Sequence, residues 1–275
     1  MRKIHNEWLD YRFELSERPI RVVSLVSSAT EAMDKMGLHD RLVGISEYCP
    51  RYIDPTGIPI VSQYLNADIE TIVNLEPDLV LLTTGIQRGL SKKLVQADLP
   101  VYNLTLPHSF SGVLENITNL GGLLNELGLA RDLVSQMEQA HHKLSTQHPC
   151  AKRPRVYVEL WLGRHRRAVG GLSYIRDIIH MAGGEMVYGD TTEGYLQNDF
   201  EEVKALDPDV FLFFHEPEYL VDGHALVAER GWDAAKPVIM SSVEMGMNVI
   251  QDGPSMIDTA HWLRRQLREV GICVG

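Results

Sequence analysis

One segment of this chain occurs twice, and the repeat restricts the possible folds more than any other feature. Residues 64–82 align without a gap on residues 195–213, 131 positions further along, and eight residues coincide in type and place. Each copy predicts an aromatic loop, an N-cap (Asp68 or Asp199), a short helix that a proline ends, and a wholly apolar strand. Two ordinary α/β units would share the proline and the strand, but not the coincident tyrosines and glutamates. The repeat therefore predicts two homologous lobes.

A long helix is predicted between the two copies. Apolar residues recur at three- and four-residue spacing from Leu129 to Leu144, so one apolar stripe runs along a helix predicted at residues 129–147. Gly128 is expected to end a preceding helix, and Pro149 lies where this helix should stop. We expect the helix to join the two lobes.

Strands alternate with helical segments on both sides of this helix. Such alternation predicts an α/β fold in which each lobe is a parallel sheet flanked by helices. The expected domain limits are an N-terminal lobe at residues 1–128, an interlobe helix at residues 129–149 and a C-terminal lobe at residues 150–275. An edge hairpin from Glu7 to Arg18 is expected to open the N-terminal lobe.

Charge and hydropathy argue against two classes of protein. The formal net charge of −11 in 275 residues disfavours a nucleic-acid-binding protein, because phosphates need a basic surface. No apolar run approaches the ~18 residues of a membrane span. The first 25 residues mix acidic and basic side chains without an apolar core, so the sequence as written shows no signal peptide. Either the protein is cytoplasmic, or an export leader preceded this numbering.

Candidate ligand contacts lie on the loops after the predicted strands. In parallel sheets ligands sit beyond the carboxyl ends of the strands, and in two-lobed proteins they sit between the lobes. The loops expected there carry four aromatic rings and four polar side chains, namely Tyr48, Tyr64, Trp161, Tyr195, Ser28, Thr84, His165 and His215. Rings with a few hydrogen-bonding groups suit a large, flat small molecule, whereas a single ring can also pack beneath its own loop. Residues 161–167 are predicted as a loop, and residues 28–31 as a capping box.

Signatures of enzymes and metal sites are sparse. The sequence contains no nucleophile elbow, zinc-binding helix, phosphate loop or dinucleotide fingerprint. His141 and His142 are expected on a solvated helix face rather than at a metal. His165 and His215 either form ordinary hydrogen bonds or bind a metal at the centre of the ligand. The arginines of residues 164–167 are either solvated or meet an anionic group of the ligand.

The cysteines predict neither a disulfide framework nor a metal site. They are odd in number, far apart and without the spacing of metal ligands. Each is expected to pack as a small side chain rather than to act as a ligand. The three are Cys49, Cys150 and Cys273.

Three segments of the chain resemble those of a known family. They are residues 21–31, residues 44–50 with the sequence Gly-Ile-Ser-Glu-Tyr-Cys-Pro, and residues 62–70. From about Glu7 onward the chain resembles the periplasmic binding proteins of ABC importers whose two lobes are bridged by one long helix, the chelatase-like or class III type. Within that family it is most similar to vitamin B12 (cobalamin)-binding proteins. In those proteins the tyrosine of the loop that matches residues 44–50 touches the corrin ring.

Two departures from the family pattern concern expected ligand contacts. Tyr64 and Tyr195 stand where vitamin B12-binding proteins carry tryptophans, so an aromatic ring is kept but not its identity. Ser255 follows Gly253-Pro254, where the family often carries an arginine. Contacts from this C-terminal loop are therefore expected to differ from those of the family.

The resemblance implies a non-catalytic substrate-binding protein that takes a corrinoid between its lobes and delivers it to a permease. It implies no intrinsic cofactor, a monomer, and a place in the periplasm or at the cell surface. In the family one glutamate per lobe docks into arginine pockets of the permease dimer, and Glu70 and Glu201 fall at these positions; alternatively, they only complement helix dipoles. The remaining alternatives are haem or a ferric siderophore as the ligand, a cytosolic corrinoid carrier or sensor, and a metal chelatase-like enzyme.

Overall fold

The computed structural model of the chain describes residues 1–146, 152–243 and 247–272. Cys150 and Cys273 lie outside these ranges. The chain divides into two compact units, Met1–Pro107 with Ser111–Gln136 and His108–Phe110 with Met137–Gly275. Each unit contains its own sheet flanked by helices, which confirms the predicted fold class. The domain limits given above, which set the long helix apart from both lobes, stay a prediction.

The first lobe is built on parallel strands with helices between them. Its elements in chain order are β1 (Arg2–Asn6), β2 (Tyr11–Leu15), β3 (Val22–Ser24), α1 (Ser27–Lys35), β4 (Leu42–Ser46), β5 (Ile60–Ser62), α2 (Ile69–Asn74), β6 (Leu79–Thr83), α3 (Arg88–Gln96), β7 (Val101–Leu104) and α4 (Phe110–Leu123). The parallel sheet has the order β5-β4-β3-β6-β7. Its strands are almost entirely buried because helices pack against them, as expected for parallel sheets.

The N-terminal hairpin forms a separate two-stranded antiparallel sheet from β1 and β2. It begins earlier than the predicted Glu7, because the first strand starts at Arg2. The Asn6 side chain donates a hydrogen bond to the carbonyl of Val101 at 3.1 Å. The hairpin is therefore attached beside the edge strand β7.

The second lobe combines parallel strands with an antiparallel hairpin. Its elements are β8 (Arg155–Leu162), β9 (His165–Val169), α6 (Tyr174–Ala182), β10 (Glu185–Met186), β11 (Tyr195–Leu196), α7 (Phe200–Leu206), β12 (Val210–His215), α8 (Gly223–Glu229), β13 (Val238–Ser242) and α9 (Met256–Glu269). The sheet has the order β11-β9-β8-β12-β13, with β10 also paired to β8. Strands β8, β10, β12 and β13 are parallel, whereas β9 and β11 run antiparallel to their neighbours.

The prediction of a loop at residues 161–167 is wrong, because these residues belong to the β8–β9 hairpin. Leu162 pairs with His165, which leaves a two-residue turn. Gly163, the first central residue of that turn, has a φ of 60°. Two-residue hairpin turns favour a positive φ at this position, which glycine adopts without strain.

The two copies of the sequence repeat make equivalent hydrogen bonds in the structure. Asp78 accepts a bond from the backbone N–H of Arg21 at 3.0 Å, and Asp209 accepts one from that of Arg155 at 2.8 Å. In each lobe the arginine guanidinium donates to carbonyls at the C-terminal end of the repeat helix, α2 or α7. Each copy thus joins its helix to its central strand in the same way.

The side chain of Asp199 caps the N-terminus of α7. Asp199 accepts hydrogen bonds from the backbone N–H groups of Glu201 at 3.1 Å and Glu202 at 3.0 Å. Asp199→Ala is expected to lower the free energy of unfolding by about 1 kcal/mol, because these two donors lose their partner. Asp199→Asn is the control, since asparagine caps about as well. Urea unfolding measures both variants, and equal losses would contradict a capping role.

The long helix α5 extends over Leu127–Thr146. The prediction that Gly128 ends a preceding helix is wrong, because Gly128 lies in the first turn of α5. Asn125 makes the turn before α5, with a φ of 54°. The stripe begins at the buried Ala130 instead of the exposed Leu129 and continues as predicted with Leu133, Met137 and Leu144. Among the described residues, no helix is both long enough and apolar enough to cross a membrane.

Candidate functional site

The first set of candidate ligand contacts gathers at the carboxyl edge of the first sheet. Tyr48 follows β4, Tyr64 follows β5 and Thr84 follows β6, while Ser28 lies in the first turn of α1. Because these strands are parallel and belong to one sheet, their carboxyl ends share one edge. The topology therefore places all four residues at the edge where α/β sheets bind ligands.

Tyr48 and Tyr64 form an aromatic pair. Their ring centroids lie 5.7 Å apart at an interplanar angle of 76°, an edge-to-face contact. The guanidinium of Arg51 lies 4.4 Å from the centroid of the Tyr48 ring. Tyr64 keeps 43% of its surface exposed. The pair is thus fixed from one side and still presents an aromatic surface.

Gln87 holds this edge together and was not predicted from the sequence. It is fully buried, at 0% exposure, directly before α3. Its side-chain oxygen accepts from the Thr83 N–H at 2.9 Å, and its side-chain nitrogen donates to the carbonyls of Leu25 at 3.2 Å and Tyr64 at 3.0 Å. One amide therefore joins the ends of β3 and β6 to the loop that carries Tyr64.

The polar candidates of the first lobe make local hydrogen bonds. The Thr84 hydroxyl accepts from the backbone N–H of Leu106 at 2.9 Å. The predicted capping box at residues 28–31 is wrong, because α1 begins after Val26 and has no side-chain cap. Ser28 is half-buried within the helix, one residue after its start. Ser28 and Thr84 stay predicted ligand contacts.

Cys49 packs in the core of the first lobe. Its sulfur lies 3.0 Å from the Thr30 hydroxyl and 3.2 Å from that of Ser46. Burial raises the pKa of this thiol, which opposes the thiolate form that binds metals. Cys49 therefore behaves as the small packed side chain expected from the sequence.

The candidates of the second lobe divide between two neighbouring strands and an edge. Trp161 on β8 lies opposite His215 at the end of β12, and both are buried. His165 is exposed at the start of β9. Tyr195, on the edge strand β11, is 38% exposed, and burial of its hydroxyl together with the charge of Asp252 raises its pKa. The sheet thus brings Trp161 beside His215.

Trp161 is held from two sides. Its indole N–H donates to Glu159 at 2.7 Å, and its ring stacks on Tyr219 at 5.8 Å. Arg166 on the neighbouring strand lies 5.7 Å from the Trp161 ring centroid. With only 8% of its surface exposed, Trp161 presents a small, firmly oriented aromatic surface.

Glu159 is a buried carboxylate that the sequence reasoning missed. It is fully buried, at 0% exposure, in the middle of β8. Arg230 binds it with two hydrogen bonds of 2.8 Å, and the Tyr157 hydroxyl and the Asn198 amide each donate to it at 2.7 Å. Burial next to this carboxylate raises the pKa of Tyr157. A charged residue inside an apolar strand was the available signal.

The two proposed docking glutamates occupy equivalent positions. Glu70 is the second residue of α2, and Glu201 is the second residue of α7. Both are exposed in the first turn of a helix that an aspartate caps. Helix N-termini favour such carboxylates, so complementing the dipole is compatible with docking.

Among the described residues, no group of three or more histidine, cysteine, aspartate or glutamate side chains is arranged to hold a metal ion. His141 stacks on Phe110 at 4.6 Å, so it is not simply solvated as predicted. His142 is exposed, as predicted. The Nδ1 atom of His215 lies 3.2 Å from the carbonyl oxygen of Glu216, a local hydrogen bond.

Residues 22–236 match the model of a family described as Periplasmic binding protein. A Cobalamin-binding protein of Halobacterium salinarum is 30% identical over 202 residues, 71% of this chain and 54% of that protein. A Vitamin B12-binding protein of Vibrio parahaemolyticus is 28% identical over 206 residues, 71% of each chain. The periplasmic Heme binding protein HutB of Vibrio cholerae superposes with a TM-score of 0.75 at 18% identity, over 92% of this chain and 99% of HutB. The chain thus spans about half the length of its Halobacterium relative.

Proposed function

We propose that this chain, which belongs to the periplasmic binding protein family, is the substrate-binding protein of an ABC importer and that its ligand is a corrinoid. One observation carries the proposal, namely the partly exposed ring pair of Tyr48 and Tyr64 at the carboxyl edge of the first sheet. A corrinoid is a broad flat ring whose faces suit aromatic contact and whose amide side chains suit hydrogen bonds. Two relatives are named for binding cobalamin or vitamin B12, which supports this ligand.

Both lobes supply contacts in this proposal, and none of the contacts is catalytic. The rings provide apolar contact, and the hydroxyl and imidazole groups provide hydrogen bonds. The corrinoid is cargo rather than a resident cofactor. The proposed contacts beyond the tyrosine pair are Ser28, Thr84, Trp161, His165, Tyr195 and His215.

Haem or a ferric siderophore is the second candidate ligand. The observation that favours it is the set of exposed arginines on the β8–β9 hairpin, Arg164, Arg166 and Arg167. Guanidinium groups bind carboxylates in a two-pronged geometry, which suits haem propionates or an anionic siderophore. A structure of similar fold, HutB, is named for binding heme.

The proposed partner is an ABC permease dimer, which Glu70 and Glu201 contact through one exposed carboxylate per lobe. The proposed location is the periplasm or the cell surface, and the proposed working form is a monomer. A cytosolic corrinoid carrier would bind the same ligand without a permease. Co-purification with a permease separates the two, and Glu70→Arg with Glu201→Arg is the matched negative control.

Absorbance titration of the purified protein with cyanocobalamin, haem and a ferric siderophore tests the ligand. Saturable binding of cyanocobalamin at micromolar concentration or below, with weaker binding of the other two, is the expected result. Tight binding of haem alone would contradict the corrinoid proposal. This titration uses only the wild-type protein, so it should precede the experiments on variants.

Tyr48→Ala and Tyr64→Ala are each expected to weaken cyanocobalamin binding by about tenfold, the equivalent of about 1.4 kcal/mol. The loss follows because each ring supports the other and both are proposed to face the ligand. Phe13→Ala is the matched control, since Phe13 stacks on Tyr11 in the N-terminal hairpin of the same lobe. An equal loss in the control would show a general effect on folding.

A further inference from the structure

We propose that Glu159 and Arg230 are positioning residues that couple the ligand contact at Trp161 to the docking helix α7. This inference rests on the proposed function, because it takes Trp161 as a ligand contact and Glu201 as a docking residue. All of the contacts that carry it lie within the second lobe. The experiment below therefore includes a measurement that needs no ligand.

Glu159 connects three parts of the lobe through one buried carboxylate. One oxygen accepts from the Trp161 indole at 2.7 Å and from Arg230 at 2.8 Å. The other accepts from the Asn198 amide and the Tyr157 hydroxyl at 2.7 Å and again from Arg230 at 2.8 Å. Asn198 directly precedes the N-cap of α7. The carboxylate thus joins Trp161 to the start of the docking helix.

Arg230 makes a second connection to α7 through Phe200, the first residue of that helix. Its guanidinium lies 4.2 Å from the Phe200 ring centroid and 4.9 Å from that of Trp232. The Trp232 indole donates to the Phe200 carbonyl at 3.0 Å. Arg230 therefore contacts the Phe200 ring directly, and it contacts the Phe200 backbone indirectly through Trp232. Phe200 is the residue before Glu201.

Arg166 closes the set of contacts on the other side. Its guanidinium lies 5.7 Å from the Trp161 ring centroid and 5.0 Å from that of Phe200. Trp161 and Phe200 are thus linked twice, through Arg166 and through the Glu159–Arg230 pair. A shift of the Trp161 ring displaces groups that contact the first residue of α7.

The polar character of this cluster favours positioning over stability. Moving an ion pair into a dry interior carries a large desolvation cost, and apolar side chains of similar volume often stabilise a fold equally well. Hydrogen bonds, unlike apolar contacts, fix the direction of each partner. Because coupling between two binding sites is reciprocal, a permease that contacts Glu201 must then also change the affinity for the ligand.

Hydrogen exchange at the first turn of α7 tests the proposal. The amides of Glu201, Glu202 and Val203 bond to Asp199, so their exchange reports whether this turn is formed. Without ligand, Glu159→Leu combined with Arg230→Met is expected to speed their exchange by roughly tenfold, because the link from Trp161 to α7 through Glu159 and Arg230 is lost and only the Arg166 contacts remain. Cyanocobalamin is expected to slow this exchange in the wild type and to leave it unchanged in the double variant.

Arg264→Met is the matched control. Arg264 is another buried arginine of the same lobe, but it donates to carbonyls of Leu144 and Met181 and lies outside the cluster. Unchanged exchange at α7 in the double variant, or an equal increase in the control, would overturn the proposal. Trp161→Phe removes only the indole donor, and it replaces the double variant if that protein does not fold. A wild type that binds no corrinoid refutes the proposed function instead, and the titration alone shows this.

Discussion

Replacing Gln87 by glutamate is expected to lower the free energy of unfolding by roughly 3 kcal/mol at neutral pH. The amide nitrogen of Gln87 donates to two carbonyls, those of Leu25 and Tyr64, and a carboxylate oxygen in its place donates to neither. The site is fully buried, so water does not replace the lost partners. The N-terminus of α3 favours a negative charge by only about 0.3–1 kcal/mol, which is less than this cost.

The loss in this variant is expected to grow with pH. The protonated carboxyl still donates one hydrogen bond, whereas the ionised form donates none and is buried, so its pKa in the folded state lies above the unfolded value of about 4.3. A group whose pKa is raised by folding binds more protons in the folded state. Stability is therefore highest below pH ~4.3 and falls by about 1.4 kcal/mol per pH unit until the folded-state pKa is reached.

Urea unfolding of the variant and the wild type between pH 4 and pH 8, roughly the range over which a raised carboxyl titrates, measures this difference. Gln96→Glu is the matched control, because Gln96 is exposed at the end of the same helix. The control is expected to show no such pH dependence. Parallel curves for the two variants would contradict the role assigned to the buried amide. The same experiment with cyanocobalamin shows whether the Tyr64 loop loses its ligand contact as well.

The sequence predicted those parts of the fold that depend on neighbours along the chain. Apolar runs, proline stops and the aspartates before α2 and α7 are local signals. Each of these signals occurs in both copies of the repeat, so two independent segments supported the same prediction. Sequence reasoning failed at the β8–β9 hairpin. Its polar stretch His165-Arg-Arg167 is typical of a loop, but these residues form an exposed strand that neighbouring strands hold in place. Tertiary pairing thus overrides local preference.

The candidate site was predicted less completely than the fold, because its supporting bonds join distant residues. Gln87 binds carbonyls 62 and 23 positions away, and Glu159 binds an arginine 71 positions away. No periodicity in the sequence identifies such partners. The local signal was the presence of Glu159 in an otherwise apolar strand, since a buried charge requires a partner. Sequence reasoning therefore found the rings expected to contact a ligand but not the groups that orient them.

Reversing the charge of both proposed docking residues, with Glu70→Arg and Glu201→Arg, is expected to abolish uptake while leaving ligand affinity unchanged. Each carboxylate is exposed on the first turn of its helix and makes no contribution to the proposed ligand contacts. Placing like charges opposite each other across an interface costs several kcal/mol of binding free energy. Each single reversal should therefore reduce uptake by roughly tenfold or more. Because two docking points act together, the double reversal should leave only background uptake.

Uptake of labelled cyanocobalamin into cells that carry the importer measures this effect, and titration of the same purified proteins measures ligand affinity. The matched control reverses two other exposed glutamates, one per lobe, Glu115 on α4 and Glu185 on β10. It changes the net charge by the same amount and is expected to preserve uptake, since long-range charge effects are screened over about 8 Å in physiological salt. Equal losses in both proteins would assign the effect to net charge. Unchanged uptake in the double reversal would contradict the docking role. Complementing the helix dipoles would then be the remaining role of both glutamates.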